Sequence, residues 1–346
     1  MNRPLLAITL GDPAGIGPET IVGAWREPRF HEYCRAVTIG HPEILRRAIA
    51  LLGSAARIVE VTEPAAVESS AEIIPCLRCG SDDAASVTPA RVDPRGGQAA
   101  YDALVAAAEL ARAGAVDAIT TGPLNKAALW AAGHQYPGHT ELLAELCGVQ
   151  DFAMMLYLAP GRPVMGRVGL GVAHVTLHMA LRDVFANLTP ERIFATTQLA
   201  HRVSAALLTH GGISDQPRIG VCALNPHAGE QGLFGDEEER IIRVAVDRAR
   251  TAGVHVEGPL PTDTLMVRAA AGQFDAVVAM YHDQGHIALK LLGMHRAVNI
   301  TLGLPIIRTS VAHGTAFDLA WQGKAETSGM VEAVRVAAQL VNVRSR

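Results

Sequence analysis

FDAVVAMYHDQG, residues 274–285, is a short apolar run that closes on a histidine and turn-forming residues. The same design occurs twice upstream. GRVGLGVAHVTLH, residues 166–178, ends at His178, and RIGVCALNPHAGE, residues 218–230, carries His227. Short runs rich in Val, Ile and Ala, bounded by Gly, Pro and Asn, read as buried parallel strands. Open α/β sheets bind ligands beyond the carboxyl ends of their strands, so the pattern delivers His178, His227 and His282 to one edge. Neutral imidazoles ligate zinc, cobalt and similar divalent ions, and three protein ligands leave coordination positions for substrate oxygens. The expectation is an open, catalytic metal site.

Working outward, the apolar run Leu5 to Leu10 leads into GDPAGIGPE, residues 11–19, a strand, loop and helix start with Pro18 and Glu19 in the first turn. Closely spaced glycines there suit an anion at a helix start. However, Thr20 stands where a dinucleotide fingerprint has its third glycine, and no GK[ST] follows. VDAITTGPLNK, residues 116–126, repeats the strand-to-loop logic and ends on Lys126, and PGHTELLAELCG, residues 137–148, presents His139 and Thr140 at a helix start. HVTLH, residues 174–178, fits one helix face by spacing, but its valine-rich context favours a strand. In NPHAGEQGLFGDEEER, residues 225–240, Asp236 reads as a helix cap and the glutamates as a solvated face. YHDQGHIALK, residues 281–290, crowds His282, Asp283, His286 and Lys290 together. Lys126, Lys290 and Arg308 are cations suited to a carboxylate and a phosphate, implying a small, anionic, hydroxylated substrate.

The 346 residues are 49% hydrophobic, enough to bury a large core in two lobes. Charged residues make up 18% and the net charge is -4, so no strong field favours nucleic acid or an anionic membrane. Aromatics at 4%, with 33 glycines and 19 prolines, suit short α/β elements better than a β sandwich. Leu5 to Leu10 is too short for a signal core, and no run approaches about 18 apolar residues, so a cytoplasmic protein is expected. Cys76 and Cys79 form a CxxC with no second pair, read as chance spacing of reduced thiols.

GDPAGIGPE, GPLNK, PGHTELLA, LNPHAGE, MYHDQGH and VNITLGLPIIRTS, in this order, resemble the 4-hydroxythreonine-4-phosphate dehydrogenase family of vitamin B6 synthesis, over nearly the whole chain. The resemblance implies the α/β fold of the isocitrate and isopropylmalate dehydrogenases, two lobes around a central cleft that holds a nicotinamide nucleotide without a GxGxxG fingerprint. Residues 1–125 with 290–346 are expected to form the cofactor-side lobe, and 126–289 the metal, substrate and dimerisation lobe. It implies a homodimer in which two histidines of one subunit and one of its partner bind the ion, matching His178, His227 and His282. Substrate contacts fall on His139, Thr140, Lys290, Asn299 and Arg308, with Lys126 in the retained GPLNK loop. Asp263, in PTDTL, matches an acid near the metal able to assist proton transfer, and Lys290 is the other catalytic candidate. HGTAFDLAWQGKA, residues 313–325, resembles the segment that approaches the adenosine, making His313, Gly314 and Ala316 cofactor candidates. One departure stands out: Ala312 replaces the aspartate of the usual TSVDHGTA.

The implied chemistry is oxidation of a 3-hydroxy acid by NAD, or NADP, with a divalent ion (Zn, Mg, Co or Mn), followed by decarboxylation. YHDQGHI with KLLG, and FDLAWQGKA, resemble the branch acting on D-threonate or D-erythronate 4-phosphate, which yields dihydroxyacetone phosphate and CO2. The alternative is 4-hydroxy-L-threonine 4-phosphate on the pyridoxal phosphate route, whose members more often read YHDQGLP. HVTLH is also similar to relatives acting on a cyclic dihydrodiol carboxylate, but Lys126 and the PGHTE turn favour phosphates. From another class, the chain is readable as a non-catalytic, metal-dependent phosphosugar binder.

Overall fold

The computed structural model describes residues 3–344. Its strands in chain order are β1 (Leu5–Thr9), β2 (Arg35–Gly40), β3 (Arg57–Val61), β4 (Ile73–Arg78), β5 (Ala118–Thr121), β6 (Ala153–Leu158), β7 (Leu170–His174), β8 (Ile219–Cys222), β9 (Val256–Leu260), β10 (Ala276–Ala279), β11 (Val298–Leu302) and β12 (Arg308–Val311). The expected α/β class is the one observed. The described chain forms two compact units, residues 3–149 with 304–344, and residues 150–303. These boundaries differ from the expected 125/126 and 289/290 for reasons of packing. Helices Lys126–Ala131 and His139–Cys147 pack on helix Pro94–Arg112 of the first unit, whereas helix His282–Gly293 packs on β6 and β7.

In the first unit the strand order is β3-β4-β2-β1-β5-β12, with parallel neighbours throughout. Side chains alternate across the pleat. Leu5, Ala7, Val37, Ile39 and Ile119 pack toward Leu104, Leu142 and Leu143 on one face, while Leu6 and Ile8 meet Ile21, Leu45 and Val334 on the other. Cys76, on β4, is buried among the latter, which pushes its thiol up to about 11, and all five cysteines are free.

In the second unit the order is β11-β6-β7-β10-β8-β9; β6 runs antiparallel to both neighbours, and β7, β10, β8 and β9 run parallel. The three histidine-bearing runs are therefore adjacent, with β10 between β7 and β8, and every residue of these strands is buried. HVTLH resolves as a strand end: β7 stops at His174, and residues 175–180 form a loop. No described helix is long and apolar enough to cross a membrane.

At the entry to β10, the buried Asp275 carboxylate accepts from Arg167 at 2.6 Å and from the Arg218 backbone N–H at 2.8 Å. Burial alone would raise its pKa, but these donors hold it below the ordinary carboxylate value. Asp275→Ala removes the acceptor shared by two partly buried guanidinium groups, leaving Arg167 with Asp215 and Arg218 with the Gly272 carbonyl, and should cost ~2 kcal/mol in urea unfolding at neutral pH. Because the folded pKa lies below the unfolded one, this contribution is complete above the unfolded value and fades as pH falls through the folded value. The difference between wild type and variant should narrow in acid; a constant difference at all pH would contradict the assignment.

Candidate active site

The ends of the parallel strands in the second unit are stitched by side chains. Gln284 accepts from the Met280 N–H at 2.7 Å and donates to the Ala223 carbonyl at 2.7 Å and to Thr262 Oγ1 at 3.0 Å. Thr176 donates to the Met280 carbonyl at 2.8 Å. On this edge His282 is the first residue of helix His282–Gly293, and His178 lies in the loop after β7; their ring centroids are 5.8 Å apart. The Asp283 carboxylate, 2.6 Å from His282 Nδ1, fixes the proton there and leaves Nε2 as a lone-pair donor, the arrangement a metal-binding imidazole uses.

Two further histidines support this pair. His174 Nδ1 stands 3.3 Å from the Met154 carbonyl, which only accepts, so Nε2 is the acceptor for His286 Nδ1–H at 3.0 Å. His286 stacks on His282 with ring centroids 3.7 Å apart. Burial pushes His174 down to about 4; burial and the His174 and His282 rings push His286 down to about 2, so both remain neutral. Gly285 makes the contact possible, since a Cβ there would lie 2.5 Å from His174 Nε2. Both histidines stand inside legible motifs, HVTLH and YHDQGHIALK, but their pairing across 112 positions has no local signal and no role for it follows from sequence.

His227 is placed differently. Among the described residues no three metal-ligating side chains gather into one cluster, so a single chain does not assemble the trio expected from the strand pattern. The reason is local: residues His227–Gln231 take left-handed backbone angles, and the His227 side chain is 69% exposed. Each non-glycine residue in that region costs roughly 1–2 kcal/mol. The acids after this turn also depart from expectation. Asp236 makes no side-chain cap and instead pairs with Arg240, while Glu238 is buried rather than solvated. Asp263 lies exposed in the first turn of helix Thr262–Ala270, lining the same hollow as His227, Tyr281 and Gln284.

Cationic and hydrogen-bond-donating side chains of the expected substrate set lie mostly in the first unit. Arg308 opens β12, is fully buried, and donates from Nη2 to Thr121 Oγ1 at 2.7 Å. Burial pushes it down to about 9, against which the Glu141 carboxylate acts, so it remains a cation at neutral pH. His139 begins helix His139–Cys147; burial and the Arg308 and Lys126 charges hold it well below its ordinary value, hence neutral. Thr140 follows it, buried, and Lys126 begins helix Lys126–Ala131, exposed. In the second unit, Lys290 is half-buried in the last turn of its helix, and Asn299 Oδ1 on β11 is buried with no hydrogen-bond partner among the described residues.

The glycines of GDPAGIGPE serve backbone approach: a Cβ at Gly11 would lie 2.2 Å from the Pro123 carbonyl oxygen, and one at Gly17 2.2 Å from that of Leu10. The later segment closes over this loop. Ile16 N–H donates to the Thr315 carbonyl at 3.0 Å, and buried Glu19 accepts from Gly323 N–H at 2.7 Å and from Trp321 N–H. Gly314 is open, with nothing within 4 Å of the position a Cβ would take; His313 Nδ1 lies 2.9 Å from its carbonyl, and Ala316 has φ 41°. Ala312 is half-buried, and nothing in its surroundings explains the replaced aspartate. Asp12 is buried, with Oδ2 unpartnered among the described residues, and burial pushes it up to about 6.

Comparison with known proteins agrees with the motif order. The chain is 44% identical over 337 residues to D-threonate 4-phosphate dehydrogenase of Pectobacterium atrosepticum, covering 97% of this chain and 99% of that one. It is 45% identical over 344 residues to 4-hydroxythreonine-4-phosphate dehydrogenase of Geobacter metallireducens, covering 99% and 97%. Among solved structures, 4-hydroxythreonine-4-phosphate dehydrogenase from Klebsiella pneumoniae matches with a TM-score of 0.81 at 43% identity, covering 98% and 99%. A terephthalate 1,2-cis-dihydrodiol dehydrogenase from Burkholderia xenovorans matches with a TM-score of 0.64 at 29% identity, covering 98% of each. The family described as pyridoxal phosphate biosynthetic protein PdxA matches residues 32–337, and the chain belongs to that family of dehydrogenases.

Proposed function

We propose that this dehydrogenase uses a divalent ion and NAD to oxidise and decarboxylate D-threonate or D-erythronate 4-phosphate, giving dihydroxyacetone phosphate and CO2. The observation that carries the reading is the His178–His282 pair at the strand edge, with Nδ1 of His282 already held by Asp283. This nitrogen-donor pair suits a zinc- or cobalt-like ion, and open Gly314 with the closed GDPAGIGPE loop suits a dinucleotide on the first unit. When bound, the ion would polarise the substrate's hydroxyl and carboxylate and NAD would accept hydride. Arg308 pairs with an anionic end of the substrate through two hydrogen bonds; Lys126, His139 and Thr140 bind the other. Asn299 orients a substrate hydroxyl, and Lys290 and Asp263 handle the proton released and the proton returned after CO2 leaves.

The lean to the sugar acid rests on YHDQGHI and FDLAWQGKA, with a physical argument beside it. His286, stacked on His282, offers a hydroxyl a hydrogen-bond partner but offers an ammonium no negative counter-charge. His227 is proposed to complete the metal site of a second copy in a homodimer. Exposed apolar side chains stand beside it: Phe234, edge-on to its ring, and Ile287 and Leu291, which line the same hollow, the last 83% exposed. The first unit takes the cofactor, and the second the metal and the dimer contact. Five free cysteines and a nicotinamide requirement fit a reducing cytoplasm.

Initial rates of NADH formation, after chelation and metal restoration, should be higher with D-threonate or D-erythronate 4-phosphate than with 4-hydroxy-L-threonine 4-phosphate. The reverse preference would place the enzyme on the pyridoxal phosphate route, and NAD-independent binding of either acid without turnover would favour a binding protein. Arg308→Lys, which keeps the charge but loses the planar fork, should lower kcat/KM about a hundredfold, ~2.7 kcal/mol, with NAD affinity unchanged. In sedimentation, Leu291→Glu should yield monomers without metal-dependent turnover; full activity in a monomer would refute the shared site.

A further inference from the structure

The turn that carries His227 winds against the usual hand. His227, Ala228, Gly229, Glu230 and Gln231 have φ of 52°, 56°, 79°, 44° and 57°, so four residues with a Cβ lie in the left-handed region within one unbroken run. Such a run persists only where its surroundings over-determine it. Those surroundings lead to Glu238, which is 1% exposed. Its Oε1 accepts from the backbone N–H of Leu224 at 2.9 Å and of Asn225 at 2.7 Å, and its Oε2 accepts from Asn225 Nδ2 at 3.0 Å. Asn225 Nδ2 also donates to Glu237 Oε2 at 2.7 Å. The middle of the turn leans on the same carboxylate: a Cβ at Gly229 would lie 2.8 Å from Glu238 Oε2. After the turn, the N–H groups of Leu233 and Phe234 donate back to the carbonyls of Glu230 and Gly229. One buried carboxylate thus bonds the chain entering the turn and packs closely against the residue at its centre.

The side chain this arrangement displays is His227. Its ring stands edge-on to Phe234, and the Glu230 carboxylate, 3.1 Å from Nδ1, fixes the proton there and leaves Nε2 as the free donor atom. Reverting the turn to right-handed angles would redirect the His227 Cα–Cβ bond altogether.

We infer that Glu238 is a positioning residue for metal binding: it locks the left-handed turn so that His227 Nε2 is presented outward to the ion of a second copy. This rests on the reading of His227 as a metal ligand. The role is not that of general packing, because the hydrogen bonds to the carboxylate come from residues 224 and 225, and Gly229 packs against it, all within the segment that aims this imidazole.

The test uses the full-length protein, stripped of metal and titrated with Co2+ against a chromophoric chelator. Amide hydrogen exchange across residues 224–235 is followed in parallel. Glu238→Gln preserves shape but replaces one acceptor oxygen with a donor. It should speed exchange in that segment, weaken Co2+ binding about tenfold to a hundredfold and alter the visible Co2+ band, with NAD affinity unchanged. Gly229→Ala keeps the carboxylate but crowds it at a positive φ; it should act in the same direction and decides the matter if Glu238→Gln does not fold. Wild-type Co2+ affinity in both variants, alongside a tenfold or greater loss in His227→Ala, would overturn the positioning role. Wild-type affinity in His227→Ala would instead overturn the ligand assignment beneath it, and the inference with it.

Discussion

Parallel pairing of β10 between β7 and β8 is the constraint on which the second unit depends. Parallel strands end on the same edge, so the chain segments following all three are delivered together without any of them having to reach. That edge would be a row of unpaired backbone groups, and it is closed by side chains: Gln284 ties the ends of β10 and β8, and Thr176 ties the chain after β7 to that of β10. Histidines placed just beyond such ties inherit their rigidity. Imidazole pairs proposed to share one ion need fixed separations, and the strand ends that carry His178 and His282, 5.8 Å apart, are joined by these ties and by the Val175 and Thr176 N–H groups donating to the Ala279 and Met280 carbonyls.

Glycine performs the complementary task of removing distance. Gly285 lets His174 come against helix His282–Gly293, and Gly11 and Gly17 let loop backbones touch where any side chain would collide. A glycine-rich loop is read from sequence as a phosphate cradle, yet in GDPAGIGPE these two glycines are used up by contacts within the fold. The segment 313–323 that closes over this loop is anchored by buried Glu19, far away in sequence, so its approach is not legible in its own residues.

What is legible in the sequence follows a physical division. Strands β7, β8 and β10, the helix start at Pro18 and the helix beginning at His139 announce themselves locally, through continuous apolar runs and capping chemistry. The unit boundaries do not, because whether helix Lys126–Ala131 belongs with residues before or after it depends on packing against helix Pro94–Arg112. Glu238 is hidden for the same reason. In the string DEEER it looks like a surface acid, and only hydrogen bonds from residues 13 and 14 positions earlier bury it. The left-handed turn is equally hidden, since only Gly229 among its five residues is suited to positive φ.

Magnitudes indicate why such a turn needs a buried charge rather than ordinary packing. Four non-glycine residues at roughly 1–2 kcal/mol each make a strain of ~4–8 kcal/mol, comparable to the whole stability of many domains. Neutral hydrogen bonds at about 1 kcal/mol net would not offset that, whereas three bonds to one carboxylate at about 1.5–3 kcal/mol each bring ~5–9 kcal/mol. The two sums nearly cancel, so the turn is held without a large surplus. A ligand arm balanced in this way is rigid only while its carboxylate is intact, in contrast to His178 and His282, whose positions come from the sheet. The proposed metal site thus joins two imidazoles fixed by strand pairing to one fixed by a single buried side chain, and the third is where its affinity is most open to change.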